Sequence, residues 1–191
     1  MPTRAFRRLL VALPLALAAA CGTTTSTTTT SNDTLDVPGL GIFKPGADQA
    51  IARVVSKSGS ASYGIVTFRR RGDKVTVAAT IWNLDIGPHS LYIHETGNCS
   101  SPNAASAGPV WNVAPPGAKR SGQLPELYAG TEGNASMQAT ISGVSIGDHA
   151  PTDIVGRAVV VHATLDPDPK PQFGGARNGW IACGVIVQGG E

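Results

Sequence analysis

Few side chains in this 191-residue chain can do chemistry: its four histidines, His89, His94, His149 and His162, and its three cysteines, Cys21, Cys99 and Cys183. Imidazole suits zinc and copper, and copper heads the affinity order of the divalent metals. Zinc asks for three or four nitrogen, sulfur or carboxylate ligands. Three cysteines are an odd number, so one thiol has no partner within the chain.

These residues must be positioned by the rest of the chain. Its length fits one domain with an appendage. Charged residues make up 15% and aromatic residues 5%, while 23 glycines and 14 prolines punctuate the sequence. That balance argues against a long helical bundle, a coiled coil or a nucleic-acid-binding surface. Residues 1–20 read as a signal peptide, with Arg4, Arg7 and Arg8 ahead of an apolar run from Leu9 to Ala20 that is too short to span a ~30 Å hydrocarbon core. Ala18, Ala19 and Ala20 before Cys21 resemble a bacterial lipobox, in which the cysteine is acylated and becomes the new N-terminus. Ordinary cleavage near the alanines, with Cys21 left as a terminal thiol, is the alternative.

Three of the fifteen basic residues and no acidic one precede Cys21, so 12 remain against 13 and the net charge turns from +2 to −1. The only basic cluster then expected is Arg69 to Arg71, read as a solvated turn beside Gly72-Asp73. The tract TTTSTTTTS at 23–31 has nothing apolar to bury. Residues 21–48 therefore read as a lipidated, flexible tether to the membrane.

From residue 49 the hydrophobic period is two. Val75, Val77, Ala79 and Ile81 fall on one strand face, Ala50 to Val55 and Tyr63 to Phe68 are β-rich, and Gly72-Asp73 makes the second and third runs a hairpin. Met137, Ala139 and Ile141 alternate, Gly147-Asp148 marks a turn, and Ala158 to Ala163 and Trp180 to Val187 are two more strands. Stretches 96–133 and 164–179 lack such a period, and loops of that length are usually functional. Seven or eight strands without an amphipathic helix indicate an all-β antiparallel sandwich or Greek-key barrel.

Five strings then occur in order: Gly87-Pro88-His89-Ser90-Leu91-Tyr92-Ile93-His94-Glu95, Ser106-Ala107-Gly108-Pro109, Gly147-Asp148-His149, Gly156-Arg157-Ala158-Val159-Val160-Val161-His162 and Ala182-Cys183-Gly184-Val185-Ile186. Together they resemble the copper/zinc superoxide dismutase family, in its exported bacterial branch, from residue 50 to the C-terminus. The resemblance implies a Greek-key β-barrel at 49–191 and a disulfide between Cys99 and Cys183. A bridge across 84 residues constrains the unfolded chain by roughly 4 kcal/mol in the loop-entropy model.

The resemblance also implies which positions would hold metal. His94 and His162 stand at two of four copper-ligand places, while Tyr92 and Val110 stand at the other two, so the resemblance leaves room for one weakly bound copper ion. Tyr92 joins it only as a phenolate whose proton, otherwise lost near pH ~10, the metal displaces. The resemblance puts the zinc histidines in the long loop, yet residues 96–133 contain no histidine, and the zinc-ligand aspartate place carries Gln123, so no zinc is expected. Trp180 replaces the arginine that attracts the anion, with Arg177 three residues back. His89 and His149 match structural positions, and Asp166 a hydrogen-bonding aspartate that here has nothing to link. Three functions follow: an envelope lipoprotein that has lost efficient dismutation and serves as a binding or structural module, a copper-only dismutase with a reduced ligand set, or a copper-sequestering protein using His94, His162 and Tyr92. The expected partners are the membrane and superoxide or copper, not nucleic acid. The expected location is the periplasm or outer membrane of a Gram-negative host, Gly22 after Cys21 favouring outer-membrane sorting.

Overall fold

The computed structural model describes residues 35–37, 41–43, 46–165 and 179–189. The signal peptide, Cys21, the threonine tract, Asp166 and Arg177 lie outside the described residues. Leu35–Val37 (β1) pairs antiparallel with Gly41–Phe43 (β2), within the stretch read as a tether. Most of the later strands fall on the runs that the sequence marks as β. Gln49–Ser56 (β3), Tyr63–Arg71 (β4) and Lys74–Trp82 (β5) form two successive hairpins. The odd positions of β5 are buried as the alternation predicts, each at 2% exposure or less, because a strand turns successive side chains to opposite faces. Arg69 to Arg71 are not a turn: they continue β4, with Arg71 opposite Lys74, and the chain reverses at Gly72-Asp73. Arg70 pairs with Asp48 at 2.9 Å.

The chain next crosses to the far side as Gly87–His89 (β6) and Leu91–His94 (β7), returns through Leu127–Ala129 (β8) and Ala135–Ile141 (β9), and ends with Ala158–His162 (β10) and Trp180–Gln188 (β11). Seven strands pair antiparallel in the order β7-β10-β11-β3-β4-β5-β9. A β6-β8 ladder joins the two edges: β6 runs on into β7 after Ser90, and β8 turns into β9 at residues 130–134. The result is a curled Greek-key barrel, all β apart from a single 3-10 turn at Ala105–Ala107 among the described residues. No helix among the described residues is long and apolar enough to cross a membrane.

The barrel is filled by one large cluster that includes Phe68, Ile81, Leu91, Leu127, Ile154 and Ile186. A smaller second cluster contains Ala104, Ala107, Ala158, Val160, Trp180 and Cys183, with Cys99 against it. β10 is buried at all five positions because its two faces serve the two clusters: Val159 and Val161 the first, Ala158 and Val160 the second.

Gly184 lies where β11 passes β3 so closely that a Cβ would overlap the Arg53 carbonyl oxygen. Gly184→Ala should cost about 1–3 kcal/mol of stability through overpacking. Gly46→Ala, facing open space, should stay within about 0.5 kcal/mol. Urea midpoints of the two variants check both values.

Candidate functional site

The second cluster marks the site. Leu91 and Ile93 point into the barrel, so alternation turns Tyr92 and His94 to its outer face. In the register of the sheet Tyr92 lies opposite Val160 and His94 opposite Ala158. At the end of β10 a bulge sets His162 opposite Trp180 on β11. The His94 and His162 rings lie 5.8 Å apart between centroids, and Tyr92 meets His162 edge-on at 4.9 Å. The structure thus brings together Tyr92, His94 and His162 from two strands.

Trp180 completes the group. Its indole lies 4.5 Å from the His94 ring and 5.5 Å from the His162 ring, and Ser58 Oγ donates a hydrogen bond to its carbonyl at 2.7 Å. Residues 95–110 cover the rings from outside. Glu95 N–H donates to Pro109 and Thr96 N–H to Ala107, and Val110 sits opposite His94 in a one-residue bridge. The Cys99–Cys183 disulfide fastens this loop to β11 three residues beyond Trp180. With His94 at 0% exposure, His162 at 1%, Trp180 at 2% and Tyr92 at 4%, the rings are closed to bulk water.

Burial governs their protonation. Removal from water pushes the His94 pKa down to about 4, against a smaller raising effect of the Gly108 carbonyl. Burial and then the neighbouring His94 push His162 down to about 3. Both rings are therefore neutral at pH 7. His94 Nδ1 lies 2.7 Å from the Gly108 oxygen; a carbonyl only accepts, so the proton sits on Nδ1 and the Nε2 lone pair is left over. That Nε2 is buried with no hydrogen-bond partner among the described residues.

The other two histidines lie elsewhere. The buried ring of His89 places Nδ1 2.9 Å from the His162 carbonyl and Nε2 2.8 Å from that of Asp85, so it braces the end of β10 that carries His162. His149 is exposed in a left-handed turn, φ 58°, its N–H donating to Asp153. The Arg157 guanidinium stacks on Trp111 at 4.4 Å and donates to the Asp153 and Glu95 carbonyls. Gln123 lies opposite Tyr92. Among the described residues no group of three or more His, Cys, Asp or Glu side chains could hold a metal ion. The sequence pattern marks Trp180 only as a missing cation, not as a cover; its place opposite His162 depends on the bulge, which no periodicity reveals.

A sequence model of the family "Copper/zinc superoxide dismutase (SODC)" matches residues 62–186. The chain belongs to the copper/zinc superoxide dismutase family. A superoxide dismutase [Cu-Zn] from Caulobacter vibrioides is 32% identical over 148 residues, covering 71% of this chain and 84% of that protein. Superoxide dismutase [Cu-Zn] 2 of Brassica juncea is 36% identical over 138 residues, 64% of this chain and 88% of that one. The crystal structure of the clock protein EA4 superposes with a TM-score of 0.59 at 26% identity, covering 77% of this chain and 97% of that structure. The superoxide dismutase barrel and the Cys99–Cys183 bridge implied by the resemblance are thus both present.

Proposed function

We propose that this superoxide dismutase family member is an exported, lipid-anchored envelope protein without efficient dismutation, serving as a binding or structural module. The observation that carries this reading is the packing of Trp180 across His94 and His162. A redox-cycling copper centre needs several imidazoles around an open position for superoxide. This site offers two imidazoles and a phenol, with an indole against them and exposures of 4% or less. The residues do not fit a copper/zinc pair. The two further copper-ligand places hold Tyr92 and Val110, and the zinc-ligand aspartate place holds the amide Gln123, so neither metal has its donor set. Replacement of the anion-attracting arginine by Trp180 also removes the positive focusing on which near-diffusion-limited turnover depends. Export and lipidation rest on the N-terminal pattern ending at Cys21; the exported chain meets an oxidising compartment, where a Cys99–Cys183 bridge persists.

One observation favours a second reading, copper sequestration. The unprotonated Nε2 of His94, without a hydrogen-bond partner among the described residues and next to His162, is the lone pair a soft or borderline metal would use. Both readings are separated by titrating the purified chain with Cu(II), recording paramagnetic resonance and measuring superoxide decay by stopped flow. The expected result is no stoichiometric Cu(II) signal and decay at the background rate. Copper binding without turnover favours sequestration. A stoichiometric signal with rapid dismutation overturns the proposal in favour of a copper-only enzyme.

A further inference from the structure

Between Lys74 and Arg157 the chain has two basic residues, Lys119 and Arg120, against six acidic ones. Both basic residues line one cavity of about 560 Å³, and none of the six acids does. The cavity lies between the loop 113–123 and the end of β9, and shares no residue with the His94/His162 group. Ligand cavities commonly fall between ~300 and ~1,000 Å³.

The wall bearing the two cations is held in shape. Asn112 Oδ1 accepts from the Ala114 and Ser121 N–H groups, Ser121 Oγ accepts from Val113 N–H, and Gly122 N–H donates to Trp111. Pro115 and Pro116 stiffen the tip, where Ala118 N–H closes a turn onto the Pro115 carbonyl. A ligand therefore meets cations on a loop ordered in advance, which reduces the entropy lost on binding.

The rest of the lining selects the ligand. Ser121, Thr140, Ser142 and Thr152 also line the cavity; a hydroxyl both donates and accepts, as sugar hydroxyls do. While Ser121 Oγ already accepts from Val113 N–H and Thr152 Oγ1 already pairs with Ser145 Oγ, each keeps capacity for one more bond. Val113, Pro115 and Ile141 add apolar wall for the carbon face of a ring. We infer that this cavity binds a small acidic saccharide, its carboxylate or phosphate held by Lys119 and Arg120 and its ring hydroxyls by the serines and threonines. This binding is independent of the histidine pair and of any metal, and it supplies a ligand class for a module whose dismutase site is closed.

The test is calorimetric titration of the full purified chain, free of added metal, with a glucuronate-containing disaccharide, glucose 6-phosphate, neutral cellobiose and inorganic phosphate. Saturable binding of an acidic sugar below about 1 mM, at least tenfold weaker for cellobiose and for phosphate, is the expected result. The two acidic sugars distinguish a carboxylate ligand from a phosphate ligand. Lys119→Ala and Lys119→Ala/Arg120→Ala should weaken binding at least tenfold with unchanged circular dichroism. Arg69→Ala/Arg71→Ala, which removes equal charge from β4, should not. Amide shifts of Ser121 and Thr140 on titration provide a second readout. Failure of both acidic sugars to bind, equal binding of inorganic phosphate, or equal loss in the β4 variant overturns the inference. None of these outcomes bears on whether copper binds.

Discussion

The triple variant Tyr92→His/Val110→His/Trp180→Arg should bind one Cu(II) ion about a thousandfold or more tighter than the parent chain. Val110 lies opposite His94 in the bridge between β7 and its covering loop, and Tyr92 already touches His162. Imidazoles at these two places would therefore converge on the existing pair. Even a partner outside the ligand shell changes metal affinity roughly 10–100-fold, so two direct ligands, at about 30-fold or more each, together carry about a thousandfold or more. Arginine at 180 removes the indole that lies 4.5 Å and 5.5 Å from the two rings and can extend its charge toward water. The double variant that keeps Trp180 should gain much less, because the wedge remains. Competition titration against a chelator of known affinity, with paramagnetic resonance to count bound copper, measures both. If the triple variant folds and gains nothing, loop 95–110 does not hold Val110 as the family geometry requires.

Acid should destabilise the protein steeply at pH values where most single-domain proteins are still comfortable. His94 and His162 have native pKa values of about 4 and about 3, below their ordinary 6.5. Below pH 6.5 the unfolded chain takes up protons at both residues and the folded chain does not, so stability falls as pH falls. The loss begins near pH 6.5 and continues to about pH 4 for His94 and about pH 3 for His162. Each ring contributes a slope of up to about 1.4 kcal/mol per pH unit, which gives about 3–4 kcal/mol between pH 7 and pH 5. Urea unfolding at half-unit pH intervals checks this. His162→Gln, which cannot take up a proton, should roughly halve the slope over that interval. An unchanged slope would show that the rings are not the source.

Much of the barrel is legible from periodicity because strand faces alternate. The buried set Val75, Val77, Ala79 and Ile81 needs only the sequence, and the turn at Gly72-Asp73 follows from residue type. Arg69 to Arg71 mislead for the same reason: three cations suggest a solvated turn, yet an end-of-strand position with one exposed face satisfies them equally well, and Arg70 finds Asp48. β8 hides in the aperiodic stretch because three residues are too few to show a period. At the site, the resemblance marks His94, His162 and Tyr92, but side-chain identity cannot show that His89 grips the carbonyl of His162. Nor can charge counts reveal the cavity, since Lys119 and Arg120 form no run; their signal is local, a rigid Pro-Pro-Gly turn just before the only two cations in a long acidic stretch.

The position of β11 has a consequence for the life of the chain before it is folded. The last strand among the described residues is an interior strand of the sheet, seated between β10 and β3. Until its residues have been synthesised, β10 has no partner on its β3 side, the short β6-β8 ladder is the only pairing between the two parts among the described strands, and Cys99 has no Cys183 to meet. Native pairing that spans most of the sequence forms late and slowly. A nascent polypeptide of this topology stays slack while it grows, and it locks only when β11 arrives to close the sheet.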